Sequence, residues 1–405
     1  MMIHLDTQAI LLLCASFGQN RKSETPPLTL SEYNILASWL LEHNMTPADL
    51  LDSTFKQRLP KITIDKLNSD RLISLLERGV MLSLAVEKWT NQGLWIIGRG
   101  ENIYPKRLKQ KLKHLAPSIL YGIGNQNLLS LGGLAVVGSR DVDEAGLNYT
   151  QQVVETCAKE DIQVISGGAR GVDQTAMLSA LEYGGTTVGI LADSLLKTSV
   201  NSKYRPYIRE NKLTLISTYD PDAGFSIGNA MGRNKYIYSI SHYALIVNSS
   251  EEKGGTWAGA IEALAKIKDV PVFVRMQGTI SQGNQQLLKR GAKTFPELPF
   301  QKPLTELLAT DEPTPTVVQE ASPSVPEVQT NDIYQTLLPL ILKHLAQPKD
   351  AKSLSETFNV RLVQMQDWLN RAVEEGKIKK NKKPVTYEIN QNDSLLSLLD
   401  PNHFR

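Results

Sequence analysis

The middle of the chain alternates short, almost uninterrupted apolar runs with polar stretches long enough to form helices. Both faces of a parallel sheet are covered by helices, so the strands of such a sheet are apolar throughout instead of alternating. The pattern predicts an α/β fold with a Rossmann-like, doubly wound parallel sheet over residues 91–302. The strand candidates are residues 94–97, 119–121, 134–137, 162–165, 187–191, 213–216, 243–247 and 270–274.

Helical periodicity dominates residues 1–90, which we predict to be an N-terminal helical domain. Thr29 and Glu32 have the spacing of a capping box ahead of an apolar-periodic run. A docking or stabilising role is favoured for this domain, because it lacks the GxG turn of a nucleic-acid-binding helical hairpin. The next helical pattern is basic, which is typical of a solvated face. Its charges are Lys106, Arg107, Lys109, Lys111 and Lys113.

The composition changes after residue 302. Residues 303–331 are rich in proline and acidic residues and contain neither lysine nor arginine, which predicts an extended linker. Residues 332–390 have three helical patterns and then a lysine-rich hairpin, the order of a winged-helix domain, and residues 391–405 form a tail. The lysines favour nucleic acid over protein as the partner, but the third helix has no basic face. It carries Gln364, Gln366, Glu374 and Glu375.

Composition and charge exclude several classes of protein. The 405 residues carry a formal net charge of only +2, so binding to a polyanion would depend on local basic clusters. Two distant cysteines, Cys14 and Cys157, exclude a disulfide framework and a multi-cysteine zinc site. The apolar run at 9–15 is too short to cross a bilayer. We expect a cytoplasmic protein that has no metal site and does not bind membranes.

Glycine- and arginine-bearing turns follow two neighbouring strand candidates. Glycine lets a ligand approach the backbone closely, and arginine binds phosphate through two parallel hydrogen bonds. The first turn is Gly138-Ser139-Arg140. Each turn leads into a helix, whose N-terminus favours anions. The second turn, in which Asp173 is expected to orient Arg170 or cap the helix, contains Ser166, Gly167, Gly168, Arg170, Gly171 and Asp173.

Two later loops extend this predicted anion site. The segment 225–236 mixes aromatic with basic and amide side chains, a combination that suits single-stranded nucleic acid, because stacking on an aromatic ring tolerates any base. The residues concerned are Phe225, Arg233, Asn234 and Lys235. The segment 253–256 is a glycine-rich turn that leads into a helix. It contributes Gly254, Gly255 and Thr256.

Taken in order, the chain carries YPKRL, VGSR, SGGARGVD, GRNK, a GGT loop and SQGNQQLLKRGA. This series resembles the DNA-processing protein A family (DprA, also called Smf) over roughly residues 97–295. The chain is similar to a divergent member, because Gly168 stands where the family usually has leucine and Met177 where it usually has histidine.

The resemblance implies a Rossmann-like domain that forms a homodimer and binds single-stranded DNA. It also implies a protein that helps to load a RecA-type recombinase, in DNA uptake or recombination. By match of motif, the resemblance places eight residues in the DNA pocket: Arg140, Ser166, Gly167, Arg170, Asp173, Arg233, Asn234 and Lys235.

Two alternatives remain open from the sequence. The GGTWAGAIE segment also resembles the phosphate-binding loop of cytokinin-activating phosphoribohydrolases, which would make Glu262 an acid/base in N-glycosidic hydrolysis of a nucleotide. A nucleotide-sensing signalling module is the other. We favour a DNA-binding protein that is not an enzyme and needs no cofactor, because no catalytic triad, metal cluster or Walker lysine is evident.

Overall fold

The structure of the protein is a computed structural model that describes residues 3–17, 25–59, 62, 64–267, 269–309, 333–345, 347–358, 360, 362–382 and 385–389. The chain forms two compact units, residues 1–316 and residues 317–405. None of the helices formed by the described residues is both long and apolar enough to span a lipid bilayer.

The first unit is built on a nine-stranded sheet in the order β1-β2-β6-β5-β4-β3-β7-β8-β9. Neighbours from β6 to β9 are parallel, which confirms the predicted Rossmann-like α/β fold. The strands are β1 (Trp95–Gly98), β2 (Ile119–Ile123), β3 (Leu134–Val137), β4 (Val164–Ser166), β5 (Thr187–Leu191), β6 (Leu213–Ser217), β7 (Tyr243–Ile246), β8 (Val272–Val274) and β9 (Lys293–Thr294).

Near one edge, the sheet departs from the predicted parallel arrangement. β1 pairs antiparallel with β2, and β2 pairs antiparallel with β6, with Tyr121 opposite Ser217. The connection between β1 and β2 therefore begins and ends at the same end of the sheet. β2 is thus the antiparallel strand of this sheet, and the edge strand β1 runs parallel to the other seven strands. Mixed sheets of this kind are common among large sheets.

Helices cover both faces of the sheet and form a module at one side of it. In the first unit they are α1 (Leu5–Cys14), α2 (Leu30–Glu42), α3 (Ser53–Arg58), α4 (Ser69–Leu76), α5 (Gly79–Asn91), α6 (Lys106–Leu112), α7 (Leu128–Leu131), α8 (Glu144–Lys159), α9 (Val172–Glu182), α10 (Leu195–Ser199), α11 (Arg205–Arg209), α12 (Ile227–Ile240), α13 (Gly254–Lys266), α14 (Gln282–Lys289) and α15 (Leu304–Ala309).

Two hydrophobic cores fill the space between sheet and helices. One joins the strands to α12 and α13 and includes Ile237 and Ala260. The other joins the opposite face to α8 and α9 and includes Val153 and Ala176. The loops that follow the parallel strands are thereby held along one edge of the sheet.

The N-terminal helices share a core with the sheet. Leu11, Leu36 and Trp89 belong to one apolar cluster with Tyr121 and Leu213 of the strands. Residues 1–90 are therefore part of the same compact unit as the sheet, although the sequence predicts a helical domain of their own. The predicted capping box at the start of α2 is present, since the Thr29 and Glu32 side chains each accept a bond from the other's backbone N–H.

The end of the first unit lies further along the chain than the sequence predicts. Residues 304–309, at the start of the predicted linker, form α15, and Leu304 and Leu308 are buried in the core beneath α8. Residues 310–331 of the predicted linker and the whole predicted tail, residues 391–405, fall outside the described residues.

The second unit has the predicted order of three helices and a hairpin. The elements are α16 (Ile333–His344), α17 (Ala351–Thr357), α18 (Leu362–Glu374), β10 (Ile378–Lys382) and β11 (Val385–Ile389). The hairpin is antiparallel, with Lys380 opposite Tyr387. The second unit has a small core of its own, in which Leu354, Leu369 and Tyr387 are buried. The winged-helix assignment stays a prediction.

Candidate nucleic-acid interface

The candidate site lies where the order of strands reverses. The chain passes from β3 outward through β4, β5 and β6, and then crosses back to β7 on the other side of β3. Ligands of open α/β sheets bind in the crevice beyond the carboxyl ends of the strands at such a switch point. The loops after β3, β4 and β7 meet here, together with the first turns of α12 and α13.

A buried carboxylate joins the first two predicted loops. Asp173 is 5% exposed, and its two oxygens accept hydrogen bonds from the N–H groups of Gly138 (3.3 Å) and Gly167 (3.2 Å). Burial raises the pKa of Asp173, while the Arg233 guanidinium and the N–H groups of Gly138, Gly167 and Ala169 act in the opposite direction. The chain thus supplies its own anion to the N–H groups that the sequence predicts to bind phosphate.

Arg233 forms the inner wall of the site. Its side chain is 5% exposed, and Nη1 donates to the carbonyl oxygen of Ile190 (2.7 Å). Burial lowers the pKa of Arg233, against the attraction of Asp173. Its guanidinium occupies the space that a Cβ at Gly167 would take, which explains the glycine there. Nε of Arg233 has no hydrogen-bond partner among the described residues.

Ser166 and the two remaining glycines of the second loop have different surroundings. Ser166 is fully buried, and its hydroxyl donates to the carbonyl oxygen of Val136 (2.6 Å), so it links β3 and β4 instead of facing solvent. Gly171 packs against the backbone of Arg140, which brings the first and second loops into contact. Gly168 lines a cleft.

Arg140 is exposed and stands between two clefts. Its guanidinium carbon lies 5.2 Å from the ring centre of Phe225, which is itself 54% exposed. The two clefts have volumes of about 650 and 450 Å³, and both are lined by Arg140, Phe225 and Arg233. The arginine–aromatic pair and the two clefts form a continuous surface along the sheet edge.

The first cleft contains the N-terminus of α13. Lys253 precedes this helix and makes no capping hydrogen bond through its side chain. The first N–H groups of a helix have no intrahelical acceptor, and the helix dipole places partial positive charge there. Gly254, Gly255 and Thr256 of that turn line the cleft together with Ser139 and Arg140. The free N–H groups and the helix dipole give this end of the cleft a geometry that suits an anion.

Two side chains fix this turn against the rest of the site. The Thr256 hydroxyl donates to the carbonyl oxygen of Gly138 (2.9 Å), and Nδ2 of Asn234 donates to the carbonyl oxygen of Gly255 (2.8 Å). The predicted residues of the first, third and fourth loops are therefore joined by direct bonds.

The second cleft carries Arg170 in an exposed position. Nη2 of Arg170 binds Oδ1 of Asp141 (2.6 Å), and both side chains are mostly exposed, at 75% and 85%. The expectation that Asp173 orients Arg170 is therefore wrong, because Asp173 is occupied by the loop N–H groups. An exposed pair of this kind contributes little to stability, which leaves Arg170 able to exchange its partner for a ligand.

Two residues considered from the sequence lie outside the linings of both clefts. Lys235 is half-buried, and its Nζ lies 5.3 Å from the Tyr236 ring. Glu262 pairs with Lys266 on α13, with 3.4 Å between Oε1 and Nζ. Neither lines the surface around Arg140. Among the described residues no group of His, Cys, Asp or Glu is arranged to hold a metal ion.

The structure also adds a residue that sequence reasoning missed. Asn248, just after β7, accepts the N–H of Ser139 through Oδ1 (2.9 Å) and so holds the first loop. Its position directly after a buried strand at the switch point was the available signal.

A protein-family model described as DNA recombination-mediator protein A matches residues 95–301, about half of the chain. The chain belongs to this family. The match confirms the family resemblance of the motifs. It includes every residue of the two clefts, whereas α1 to α5 and the second unit lie outside it.

Two DNA-processing and related proteins are similar in sequence to this chain. The DNA processing protein DprA of Streptococcus pneumoniae is 29% identical over 181 residues, which are 44% of this chain and 63% of that protein. Protein Smf of Escherichia coli is 26% identical over 261 residues, 64% of this chain and 66% of that protein. The chain thus spans just under two thirds of these two relatives.

A solved structure of a family member has the same fold. The X-ray structure of DNA processing protein A from Streptococcus pneumoniae superimposes with a TM-score of 0.55 at 19% sequence identity, covering 73% of this chain and 95% of that one. At this level of identity the likeness concerns the fold.

Proposed function

We propose that this protein binds single-stranded DNA along the two clefts around Arg140 and takes part in DNA recombination or uptake as a DNA-processing protein. The observation that carries the proposal is the exposed Arg140 guanidinium, stacked on the exposed Phe225 ring between two open clefts. Membership in the recombination-mediator family supports it.

Phosphate groups are held in the first cleft. The N-terminus of α13, the Lys253 ammonium and the Arg140 guanidinium all present positive charge to it. Asp173 and Arg233 also line this cleft, but each is only 5% exposed, and their side chains bind the backbone of the loops and of Ile190. We assign them to holding the loops in place, whereas the match of motif gives both residues a part in DNA binding.

Bases are held by the apolar rim. Phe225 offers a ring face, and base–aromatic stacking contributes roughly 1–3 kcal/mol per base. Ile227 and Met231 are exposed on the same side of α12 and line the first cleft. These apolar surfaces are accessible to unpaired bases but not to bases stacked within a duplex. The rim therefore favours single strands.

The size of the surface favours a polymer over a mononucleotide. The second cleft continues beyond Arg140 and carries the exposed Arg170. A strand that crosses Arg140 would place consecutive phosphates near α13 and near Arg170. A nucleotide would fill only one cleft and leave the other charges without an anion.

The central test is binding of a fluorescent single strand measured by anisotropy at several salt concentrations. Arg140→Ala should weaken binding at least tenfold and reduce the salt dependence by about 0.7 in log–log slope, the amount expected for one phosphate contact. Arg209→Ala removes an exposed arginine of α11 outside both clefts and serves as the matched control. Equal binding by Arg140→Ala and wild type at low salt would refute the assignment.

We further propose that the protein acts by binding and not by catalysis. The support is that Glu262, the candidate acid/base, is paired with Lys266 and lies outside the clefts. Incubation with nucleoside monophosphates should release no free base. Release that disappears in Glu262→Ala would establish the hydrolase instead.

Homodimer formation through the sheet-bearing unit and contact with a RecA-type recombinase complete the proposal. Both rest on family membership. Sedimentation of the full chain tests the first. Acceleration of recombinase filament growth on single strands tests the second.

A further inference from the structure

The loop between β6 and α12 connects the N-terminal helices to the candidate site. Residues 218–226 run from the end of β6 to the N-cap of α12, and Phe225 lies just before that cap. Two carboxylates, Asp220 and Asp222, stand two residues apart on this loop. Both accept hydrogen bonds from the N-terminal part of the chain: Asp220 from Ser16, and Asp222 from Lys88 and Trp89.

Asp220 is held by the residues that follow α1. Its Oδ2 accepts the N–H of Ser16 (3.0 Å) and the hydroxyl of Ser16 (2.6 Å). Its Oδ1 accepts the hydroxyl of Tyr121, a strand residue that is 1% exposed (3.3 Å). Loss of this carboxylate would leave the buried Tyr121 hydroxyl without a partner, which is more costly than loss of an exposed bond.

Asp222 is held by α5. Its two oxygens accept Nζ of Lys88 (2.8 Å) and Nε1 of Trp89 (3.3 Å). The bond to Lys88 is exposed and weak by itself. The Trp89 ring is 1% exposed in the shared core, so its N–H has a fixed position. Asp222 is therefore bound to a rigid donor.

The same loop is fixed from its other side. The N–H of Ser194 donates to the carbonyl oxygen of Ala223 (2.7 Å), and the N–H of Leu196 donates to that of Pro221 (3.2 Å). These donors follow β5 beside the second cleft. The loop that places Phe225 next to Arg140 is thus held by hydrogen bonds on both of its sides.

We propose that Asp220 and Asp222 are positioning residues, through which the N-terminal helices hold Phe225 and the first turn of α12 in the conformation that binds DNA. The role rests on the proposed binding of single-stranded DNA. It assigns a function to a module that lies outside the family match: the module prepares the site without contacting the ligand.

The sign of the expected effect separates this role from simple electrostatics. Asp222→Ala removes a negative charge, and by charge alone it should strengthen binding to DNA. If the carboxylate positions Phe225, the same change weakens binding. The loop is then ordered in only a fraction of the molecules, and the apparent affinity falls with that fraction. We expect a roughly tenfold loss for Asp220→Ala and for Asp222→Ala, which corresponds to one charged hydrogen bond. Glu155→Ala, which breaks an exposed pair with Lys159 on α8, is the charge-matched control and should bind at least as tightly as wild type.

Two further measurements keep the proposal testable apart from the proposed function. Hydrogen exchange of the 218–232 backbone should rise in Asp220→Ala and Asp222→Ala while exchange in the strands is unchanged, and this needs no DNA. Asp220→Asn keeps an acceptor for Ser16 and should restore most of the affinity. If the wild-type protein does not bind single-stranded DNA, the proposed function is refuted, but the positioning role is still tested by hydrogen exchange. Wild-type affinity, or unchanged 218–232 exchange, in the folded alanine variants would overturn the positioning role.

Discussion

Two glycine-rich turns of this protein have similar sequences and opposite uses. In the turn after β4, the N–H of Gly167 donates to the buried carboxylate of Asp173, which also accepts the N–H of Gly138 from the turn after β3. The turn into α13 has no side-chain cap and opens into the larger cleft. One turn is filled by the protein itself, and we propose that the other binds phosphate. A glycine-rich turn therefore indicates available N–H groups, but the rest of the fold decides what they bind.

The largest expected effect is the loss of stability when the Asp173 carboxylate is removed from the turn after β4. Asp173→Ala leaves the buried N–H groups of Gly138 and Gly167 without their acceptor, and a buried polar group without a partner costs about 1–3 kcal/mol. The free energy of unfolding measured in urea at pH 7 should fall by at least this amount. Asp141→Ala, which breaks the exposed pair with Arg170, should change stability little. Equal effects of the two variants would contradict the internal-anion assignment.

A pair of alanine substitutions tests the two turns directly. Gly167→Ala places a methyl group onto the Arg233 guanidinium, which is fixed by Ile190, and should cost about 1–3 kcal/mol of stability through overpacking. Gly254 has a φ of +83° with open space around it, so Gly254→Ala should cost about 1 kcal/mol from backbone strain alone. The order reverses for DNA: Gly254→Ala should weaken binding more, because it distorts the open turn. A larger stability loss at Gly254 would show that the turns have been assigned the wrong way round.

The smallest expected effect is on the pH dependence of stability. Burial raises the pKa of Asp173 above its ordinary value of 3.8, so the folded chain holds this proton more tightly than the unfolded chain. The contribution of this group to stability is then fully present below pH 3.8 and declines as the pH rises through the folded pKa. Relative to Asp173→Asn, the wild-type free energy of unfolding should decline as the pH rises above 3.8. A rise would mean that attraction to Arg233 outweighs burial.

Local sequence patterns were sufficient for β1 to β8 and for the loops, but not for the two-residue strand β9 or for the partners of these elements. The apolar run at Leu134–Val137 fits β3 because a buried strand needs no other signal. The antiparallel pairing of β1 and β2 was missed, since pairing direction depends on where the connection returns. The role of Asp173 was missed because its partner Gly138 lies 35 residues away in sequence.

Burial explains the other differences between the predicted and observed site. Arg233 looks like a surface cation in the sequence, yet α12 turns it toward the sheet, whereas Arg140 in a short loop stays exposed. Lys235 lies two residues further along α12 than Arg233 and faces away from the clefts. The direction of a side chain on a helix depends on which faces of the helix are packed, and α12 packs against both the strands and α13.

The edges of the sheet bear on how two copies of the chain could meet. A long unpaired edge strand invites another molecule to continue the sheet, and short or charged edge strands discourage this. β9 contributes two residues, one of them Lys293, and the four residues of β1 are buried, with Thr7 of α1 packed against Gly98. The sheet is therefore protected from edge-to-edge aggregation.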